Sequence, residues 1–263
     1  MLILSSLIQS WTFSTNDIAS LTKENYDYLP SQRTIESAFK SINGLFLKQQ
    51  DQDKFQIRML VEESTGKYKP TKALTQALEN HTFRTFLSDA IDYGISYFTS
   101  KFSSQKFVDG LILYEKYSRK DVCRILNWDK DDSSTVYGYR IKNNTCPIFV
   151  TYNKKEEISG STKYEDMFLN SHQFSWMTRN RINLNSSEVI KLKAHKETTL
   201  RISLFIKKHD GEGCDFYYIG DMQPYDFSQK TIKNDKNQEL PIVNVKFSLL
   251  QPVEERLYQY LTQ

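Results

Sequence analysis

The sequence is poor in cysteine and has no long apolar run. Its 263 residues include three cysteines whose spacing fits neither a C-x-x-C redox pair nor a zinc site, namely Cys123, Cys146 and Cys214. No segment approaches the roughly 20 consecutive apolar residues of a transmembrane helix, and the N-terminal segment lacks the positive flank of a signal peptide. We therefore expect reduced thiols, a cytoplasmic location and no membrane contact.

An excess of one charge is also missing. The chain has 35 Lys and Arg against 32 Asp and Glu, a net charge of +3, so composition alone does not indicate a polyanionic partner. Residues 171–208 nevertheless hold eight basic side chains and two acidic ones. Six of these basic residues are candidates for contacts with DNA phosphates: Arg179, Arg181, Lys191, Lys193, Lys207 and Lys208. The alternative is an ordinary solvated strand face.

The signatures of common catalytic sites are missing as well. There is no G-x-S-x-G motif, and the four histidines have no zinc-ligand spacing. Gly66-Lys67 resembles the end of a phosphate-binding loop but lacks the earlier glycine and the following Ser or Thr. We predict that the chain is no enzyme by itself and has no catalytic residue, metal site or cofactor. A hydrolase with dispersed carboxylates stays open as an alternative, in which Asp166, Asp215 and Asp221 converge.

The first part of the chain has the apolar spacing of helices, from about Leu29 to Phe107. Thr71 and Ser88-Asp89 are typical of helix starts, because short hydroxyl or carboxylate side chains accept hydrogen bonds from free N-terminal amides. Ser118 and Asp121 form an S-x-x-D capping pattern ahead of a further helix. We therefore predict a helical domain over residues 1–110.

Beyond Trp128 the sequence consists of short β-branched and aromatic runs separated by turn residues. The predicted strands are Val136–Ile141, Cys146–Tyr152, Phe174–Met177, Leu200–Ile206, Phe216–Ile219 and Ile242–Leu249. His209–Gly213 is typical of a hairpin turn. Several strands with one or two helices favour a twisted, barrel-like sheet, because closure hides the sheet edges. The fold prediction is α+β, with the barrel over residues 111–263.

A run of segments in this second part resembles a known module. The segments are Tyr117–Trp128, Val136–Tyr139, Cys146–Tyr152, Ser161–Phe168, Phe174–Arg179, Leu204–Lys208 and Phe216–Gly220. They are similar to the C-terminal region of SauUSI-type type IV modification-dependent restriction endonucleases, which fuse a phospholipase-D-type nuclease and a helicase motor to this tail. The resemblance implies a helical coupler followed by an SRA/PUA-like β-barrel with flanking helices, the fold that binds DNA and flips out 5-methylcytosine.

The resemblance also implies a pocket for the flipped base. SRA domains carry a Tyr, an acidic residue within three positions and a second aromatic twelve positions after the first. Tyr164 and Trp176 match that spacing, and Glu165 or Asp166 would take the acidic role because Met167 stands at the third position. Met167, Phe149 and Tyr152 are the proposed pocket walls. The alternative is that Tyr164 and Trp176 are core aromatics of the barrel.

These implications combine into one functional expectation. The chain would recognise 5-methylcytosine or 5-hydroxymethylcytosine in duplex DNA by base flipping, as the target-recognition part of a restriction system. Its expected partners are modified duplex DNA and the helicase and nuclease domains of the same longer protein. ATP and a divalent metal are expected only for those missing domains. The alternative function is a non-flipping interaction or regulatory module of a helicase-nuclease.

Overall fold

The computed structural model describes residues 1–9, 12–102, 107–152, 166–233 and 237–263. The chain divides into two compact units. The first comprises Met1–Gly110 and Cys123–Asp132, and the second comprises Leu111–Val122 and Ser133–Gln263. The first unit thus takes in ten residues that the sequence analysis assigned to the second domain.

Hydrogen bonds explain why Cys123–Asp132 belongs to the first unit. Asn127 Nδ2 donates to Thr34 Oγ1 at 3.1 Å, and the Asp131 amide donates to the Phe46 carbonyl at 2.8 Å. Trp128, in the same segment, is 1% exposed. It is therefore a core side chain.

The first unit is mainly helical. Its helices are α1 (Leu2–Ile8), α2 (Thr15–Tyr26), α3 (Gln32–Ile42), α4 (Gln49–Lys54), α5 (Lys72–Leu78) and α6 (His81–Phe102), and its strands are β1 (Val61–Ser64), β2 (Lys67–Pro70) and β3 (Phe107–Val108). Thr71 caps α5, because its hydroxyl accepts a hydrogen bond from the Leu74 amide at 3.3 Å. In the core, the Phe39 and Tyr68 rings stack with centroids 3.9 Å apart.

Two details of the helical prediction are wrong. Val61–Pro70 forms the antiparallel β1–β2 hairpin, whose turn residues Thr65 and Gly66 have φ angles of 52° and 75°, as a two-residue hairpin turn requires. The Gly66-Lys67 pair belongs to this turn. Ser88-Asp89 lies inside α6, which the Asn80 side chain caps instead by accepting from the Phe83 amide at 3.0 Å.

The second unit is built on a seven-stranded sheet. Its strands are β4 (Leu111–Ile112), β5 (Lys116–Tyr117), β6 (Thr145–Thr151), β7 (Met167–Asn170), β8 (Gln173–Met177), β9 (Arg201–Lys207), β10 (Phe216–Lys233) and β11 (Glu239–Leu249), of which β4 lies outside that sheet. Its order is β6-β9-β10-β11-β8-β7, with β5 paired to the start of β10. β6 and β9 are parallel, and the other neighbours are antiparallel.

The remaining helices are α7 (Arg119–Ile125), α8 (Ser187–Lys193) and α9 (Glu255–Thr262). The predicted cap of α7 is confirmed, because Ser118 Oγ accepts from the Asp121 amide at 3.1 Å and donates to the Asp121 carboxylate at 2.7 Å. Among the described residues, no helix is both long and apolar enough to cross a bilayer.

The long strand β10 curls the sheet into a half-barrel. Its first part pairs with β9 and its second part with β11. Irregularities in register lie between Tyr218 and Gly220 and between Pro224 and Asp226, and such bulges bend a strand. Gly220 has φ 136°, a conformation that a side chain would strain. The α+β class is therefore confirmed, and the barrel is a curled half-barrel.

The two ends of the strand order approach each other through aromatic side chains. The Tyr152 ring, just after β6, lies 5.8 Å from the Phe168 ring of β7, and the Tyr152 hydroxyl accepts from the Phe168 amide at 3.4 Å. Tyr258 of α9 packs on Phe168 at 5.4 Å. This aromatic seam covers the main core where the described strand order is open.

Two local predictions in this unit have different outcomes. Val136–Ile141 does not form a strand. It makes one bridge, Tyr139 to Ile148, and Gly138 turns the chain with φ 79°. The hairpin at His209–Gly213 is confirmed, since that segment joins the antiparallel pair β9 and β10.

Candidate nucleic-acid interface

The predicted base-reading residues begin at the edge of the described chain. Tyr164 and Glu165 lie outside the described residues. Asp166 directly precedes β7, and its Oδ1 accepts a hydrogen bond from the Met177 amide at 2.9 Å. A carboxylate held by a backbone donor at the end of β8 has a fixed direction.

Trp176 lies in the main hydrophobic core of the second unit. Its side chain is 3% exposed. The Tyr139 ring packs perpendicular to it at 4.7 Å, and the Phe247 ring lies 6.0 Å away. In this conformation the indole therefore has no open face on which a base could stack.

The predicted wall residues do not share one face of the sheet. Tyr152 packs against the main core. Phe149 instead stacks on Phe205 at 4.9 Å and meets Phe216 at 5.2 Å, on the opposite face of β6. Successive side chains of a strand point to opposite faces, so positions three apart cannot line the same pocket. Met167, at the start of β7, is 49% exposed.

Three of the six predicted phosphate-binding residues have partners within the second unit. Arg179 forms an ion pair with Glu188 and lies over the Tyr139 ring at 4.7 Å. Lys207 is buried, and Lys208 Nζ lies 4.8 Å from the Tyr260 ring centroid. Their charges are therefore less available to DNA than the sequence suggested.

The environment of Tyr139 shows why the Arg179 pair is structural. The Tyr139 hydroxyl donates to Glu188 Oε2 at 2.7 Å. Burial, and after it this hydrogen bond, raise the pKa of Tyr139. Glu188 thus binds two neighbours at once and fixes the start of α8 against the core.

The other predicted basic residues, Arg181, Lys191 and Lys193, are exposed. Their segment lies beside the far end of the β10–β11 hairpin. Lys193 Nζ lies 5.5 Å from the Phe227 ring centroid, and the Leu184 amide donates to Gln229 Oε1 at 3.1 Å. The exposed loop and helix α8 therefore flank a two-stranded ribbon.

This ribbon adds basic residues that the sequence analysis missed. Lys230 and Lys233 are exposed on β10, opposite Ile242 and Glu239 of β11. Lys233 shares the strand face of Gln229, which contacts the α8 segment, and Lys230 lies on the other face. Two lysines within the five residues Gln229–Lys233 are the signal that could have identified them. We call Arg181, Lys191, Lys193 and Lys233, which lie on or beside the face of Gln229, the basic ribbon face.

The carboxylates proposed for a dispersed hydrolase site do not converge on a metal site. Asp221 accepts from Arg201 Nε at 2.9 Å, from Ser203 Oγ at 2.6 Å and from the Tyr218 hydroxyl at 2.8 Å. Burial, and after it the Asp221 charge, raise the pKa of Tyr218. In the part of the chain that the structure describes, no group of three His, Cys, Asp or Glu side chains is placed to hold a metal ion.

The sequence matches two protein families. The model of the family described as "Domain of unknown function (DUF3427)" matches residues 111–261, more than half of the chain, and the chain belongs to this family. Residues 1–104 match the model of a second family, "Domain of unknown function (DUF8090)". No curated protein matches the chain.

Solved structures give only distant matches. The DNA modification-dependent restriction endonuclease AspBHI is 12% identical, with 58% of this chain and 81% of that chain covered, at a TM-score of 0.38. The sulfur binding domain and SRA domain of ScoMcrA complexed with phosphorothioated DNA are 8% identical, with 99% and 88% covered, at a TM-score of 0.33. The type IV phosphorothioation-dependent restriction endonuclease ScoMcrA is 8% identical, with 97% and 51% covered, at the same TM-score. Scores this low do not establish a shared fold.

Proposed function

We propose that this chain recognises modified cytosine in duplex DNA, 5-methylcytosine or 5-hydroxymethylcytosine, and does so by flipping the base out of the helix. It would act as the target-recognition part of a modification-dependent restriction system. The helicase and nuclease domains of that system would supply the ATP-dependent and metal-dependent chemistry. The sequence resemblance over the second unit supports the class of target.

The observation that carries the proposal is the basic ribbon face. Its four side chains are exposed and lie on or beside a two-stranded ribbon, an element that the DNA major groove can admit. Lysine and arginine contacts to phosphates release condensed counterions and position the duplex without reading its sequence. This face would therefore supply the affinity, and a separate group would supply the preference for the modified base.

Asp166 is the group we propose for reading the base. The cytosine amine is a hydrogen-bond donor, which a carboxylate accepts, whereas thymine presents a carbonyl at that position. Tyr164 would stack on the flipped ring, and base–aromatic stacking of about 1–3 kcal/mol offsets the cost of unstacking. For Trp176 to stack as well, the Tyr139 ring has to move aside.

One observation favours the alternative, an interaction module that does not flip bases. Helix α6 carries aromatic side chains that face solvent, with Phe86 69%, Tyr93 70% and Tyr97 51% exposed. Exposed apolar side chains grouped on one element are typical of protein interaction surfaces. A module of this kind would bind another domain and show no preference for modified DNA.

Fluorescence anisotropy with the full chain distinguishes these functions. Labelled duplexes that differ only in cytosine, 5-methylcytosine or 5-hydroxymethylcytosine are titrated over a range of salt concentrations. The expected result is tighter binding of at least one modified duplex and an affinity that falls with salt. Equal affinity for all three duplexes would contradict modified-base recognition.

A matched pair of variants tests the basic ribbon face in the same assay. The double variant Lys191→Gln/Lys193→Gln should weaken binding to modified and unmodified DNA alike. It should reduce the salt slope by about one unit for each phosphate that the variant no longer binds. Lys72→Gln, at an exposed position of α5, is the control and should leave the slope unchanged. An unaltered slope in the double variant would remove these two lysines from the interface.

A further inference from the structure

A second group of cations lies on the face of the sheet opposite the main core. Phe149 of β6 and Phe216 of β10 are 5% and 1% exposed there. Arg119, the first residue of α7, places its guanidinium carbon 4.8 Å from the Phe216 ring centroid and 5.3 Å from that of Phe149. Lys207 Nζ lies 5.1 Å from the same Phe216 centroid. Both cations therefore lie over the Phe216 ring, which together with Phe149 we call the aromatic floor.

Only one of these cations has a close ion-pair partner in the described chain. Lys207 Nζ pairs with Asp210 at 3.0 Å and donates to the Gly213 carbonyl at 3.1 Å. The Nε of Arg119 is buried and has no hydrogen-bond partner among the described residues. Buried polar groups are nearly always paired, because an unpaired one has lost its water without compensation. Burial accordingly lowers the pKa of Arg119.

The aromatic floor fixes the direction of the Arg119 guanidinium. A guanidinium stacked on rings keeps its planar fork of donors rigid, so little freedom is lost when it binds an anion. Asp210 and the exposed Cys214 lie within electrostatic reach of Arg119, which places the β9–β10 turn beside it. The fork matches the spacing of phosphate oxygens.

We propose that Arg119, on the Phe216 ring beside the Lys207–Asp210 ion pair, forms an anion site that binds a phosphate group. The site is distinct from the basic ribbon face. If the phosphate belongs to the DNA backbone, this inference rests on the proposed function and adds a contact to it. A free phosphate would use the same chemistry.

Alkylation of Cys214 tests the site in the full chain without any DNA. Iodoacetamide labelling is followed by mass spectrometry while inorganic phosphate replaces chloride at constant ionic strength. Bound phosphate beside the thiol would cover it, so labelling should slow in a saturable way. The buried Cys123 and Cys146 serve as internal controls. No response of Cys214 to phosphate in the parent protein would overturn the proposal.

Three variants make the result specific to Arg119. Arg119→Gln should abolish the phosphate response. Arg119→Lys should weaken it, because the planar fork of guanidinium donors is removed. The control Lys120→Gln, at an exposed neighbouring position, should keep the full response. Circular dichroism establishes that each variant is folded. If Arg119→Gln unfolds, the graded response of Arg119→Lys decides the question. A full response in both Arg119 variants would also overturn the proposal.

A DNA arm separates this proposal from the proposed function. If the phosphate comes from DNA, Arg119→Gln should weaken modified and unmodified duplexes alike, by roughly tenfold, and lower the salt slope by about one unit. A phosphate response without such a DNA effect would support a site for free phosphate. If the parent binds modified DNA but phosphate never protects Cys214, the anion site fails and the proposed function stands. If phosphate protects Cys214 but the parent protein shows no preference for modified DNA, the proposed function fails and the anion site stands.

Discussion

At the residue scale, Asp166 and Trp176 differ in what the structure permits. Asp166 stands before β7, and its Oδ1 accepts from the Met177 amide, which fixes the direction of the carboxylate. Trp176 is enclosed by Tyr139 and Phe247, which suits a residue that stabilises the fold. The spacing of the two residues in sequence could not distinguish these environments, because burial depends on strands that are distant in the chain.

The substitution Asp166→Asn tests the reading of the base. The amide oxygen of Asn can still accept from Met177, so the fold should be retained. The carboxylate that accepts from the cytosine amine is removed, so the modified duplex, whose base would be flipped, should bind roughly tenfold more weakly. The unmodified duplex, which would be held through its phosphates alone, should keep its affinity, and the preference should fall by the same factor. Competition anisotropy with the paired duplexes measures this ratio. An unchanged preference in the folded variant would exclude Asp166 as the reader.

The substitution Trp176→Ala tests whether the indole is a core side chain. Loss of a large buried aromatic typically lowers the free energy of unfolding by about 3–5 kcal/mol. We expect a loss of this size in urea denaturation, and a much smaller one for Trp176→Phe. A loss below about 1 kcal/mol for Trp176→Ala would mean that the ring is not part of the packed core.

At the element scale, local chemistry predicted some caps and turns and failed at Ser88-Asp89 and at the Thr65-Gly66 turn. Ser118, Thr71 and the turn His209–Gly213 act through neighbours within a few residues, so the sequence was sufficient for them. Val61–Pro70 forms a hairpin around the turn residues Thr65 and Gly66, and the distant Asn43 fixes its start by accepting from the Leu60 and Val61 amides at 2.9 Å. The sequence analysis did not predict a strand over residues 227–233. These residues form the projecting ribbon, and they lack the alternation of apolar and polar side chains that indicates a strand.

Helix α9 is joined to the β9–β10 turn by an ionisable contact. The Tyr260 hydroxyl donates to Glu212 Oε1 at 2.5 Å, and the other oxygen accepts from the Lys208 amide at 2.6 Å. Burial acts to raise the pKa of Glu212. The hydrogen bonds from Tyr260 and Lys208 and the charge of Lys116 outweigh it, so the pKa lies below its usual value of 4.5.

This lowered pKa predicts a dependence of stability on pH. A carboxyl group with a depressed folded-state pKa stabilises the fold above its unfolded pKa, and the contribution is lost as pH falls through the folded-state value. The parent should therefore unfold at higher urea than Glu212→Gln near pH 7, and the difference should shrink below about pH 4.5. Urea midpoints measured from pH 7 to pH 3 provide the comparison. A constant difference over that range would contradict the assignment.

At the scale of the whole molecule, the charge is organised by structure more than by sequence. The sequence predicted one basic stretch over residues 171–208. The structure divides this stretch into two groups. Arg179, Arg201 and Lys207 have acidic partners within the second unit. Arg181, Lys191 and Lys193 face solvent beside the ribbon. A net charge of +3 is thus compatible with a local surface that binds DNA phosphates.

Base flipping is the central claim, and one fluorescence measurement tests it most directly. 2-Aminopurine placed beside the modified cytosine reports loss of stacking when that cytosine leaves the duplex. With the chain at saturating concentration, we expect its emission to rise for the 5-methylcytosine or 5-hydroxymethylcytosine duplex and to stay low for the unmodified one. Saturated binding with no rise for either modified duplex would contradict the account.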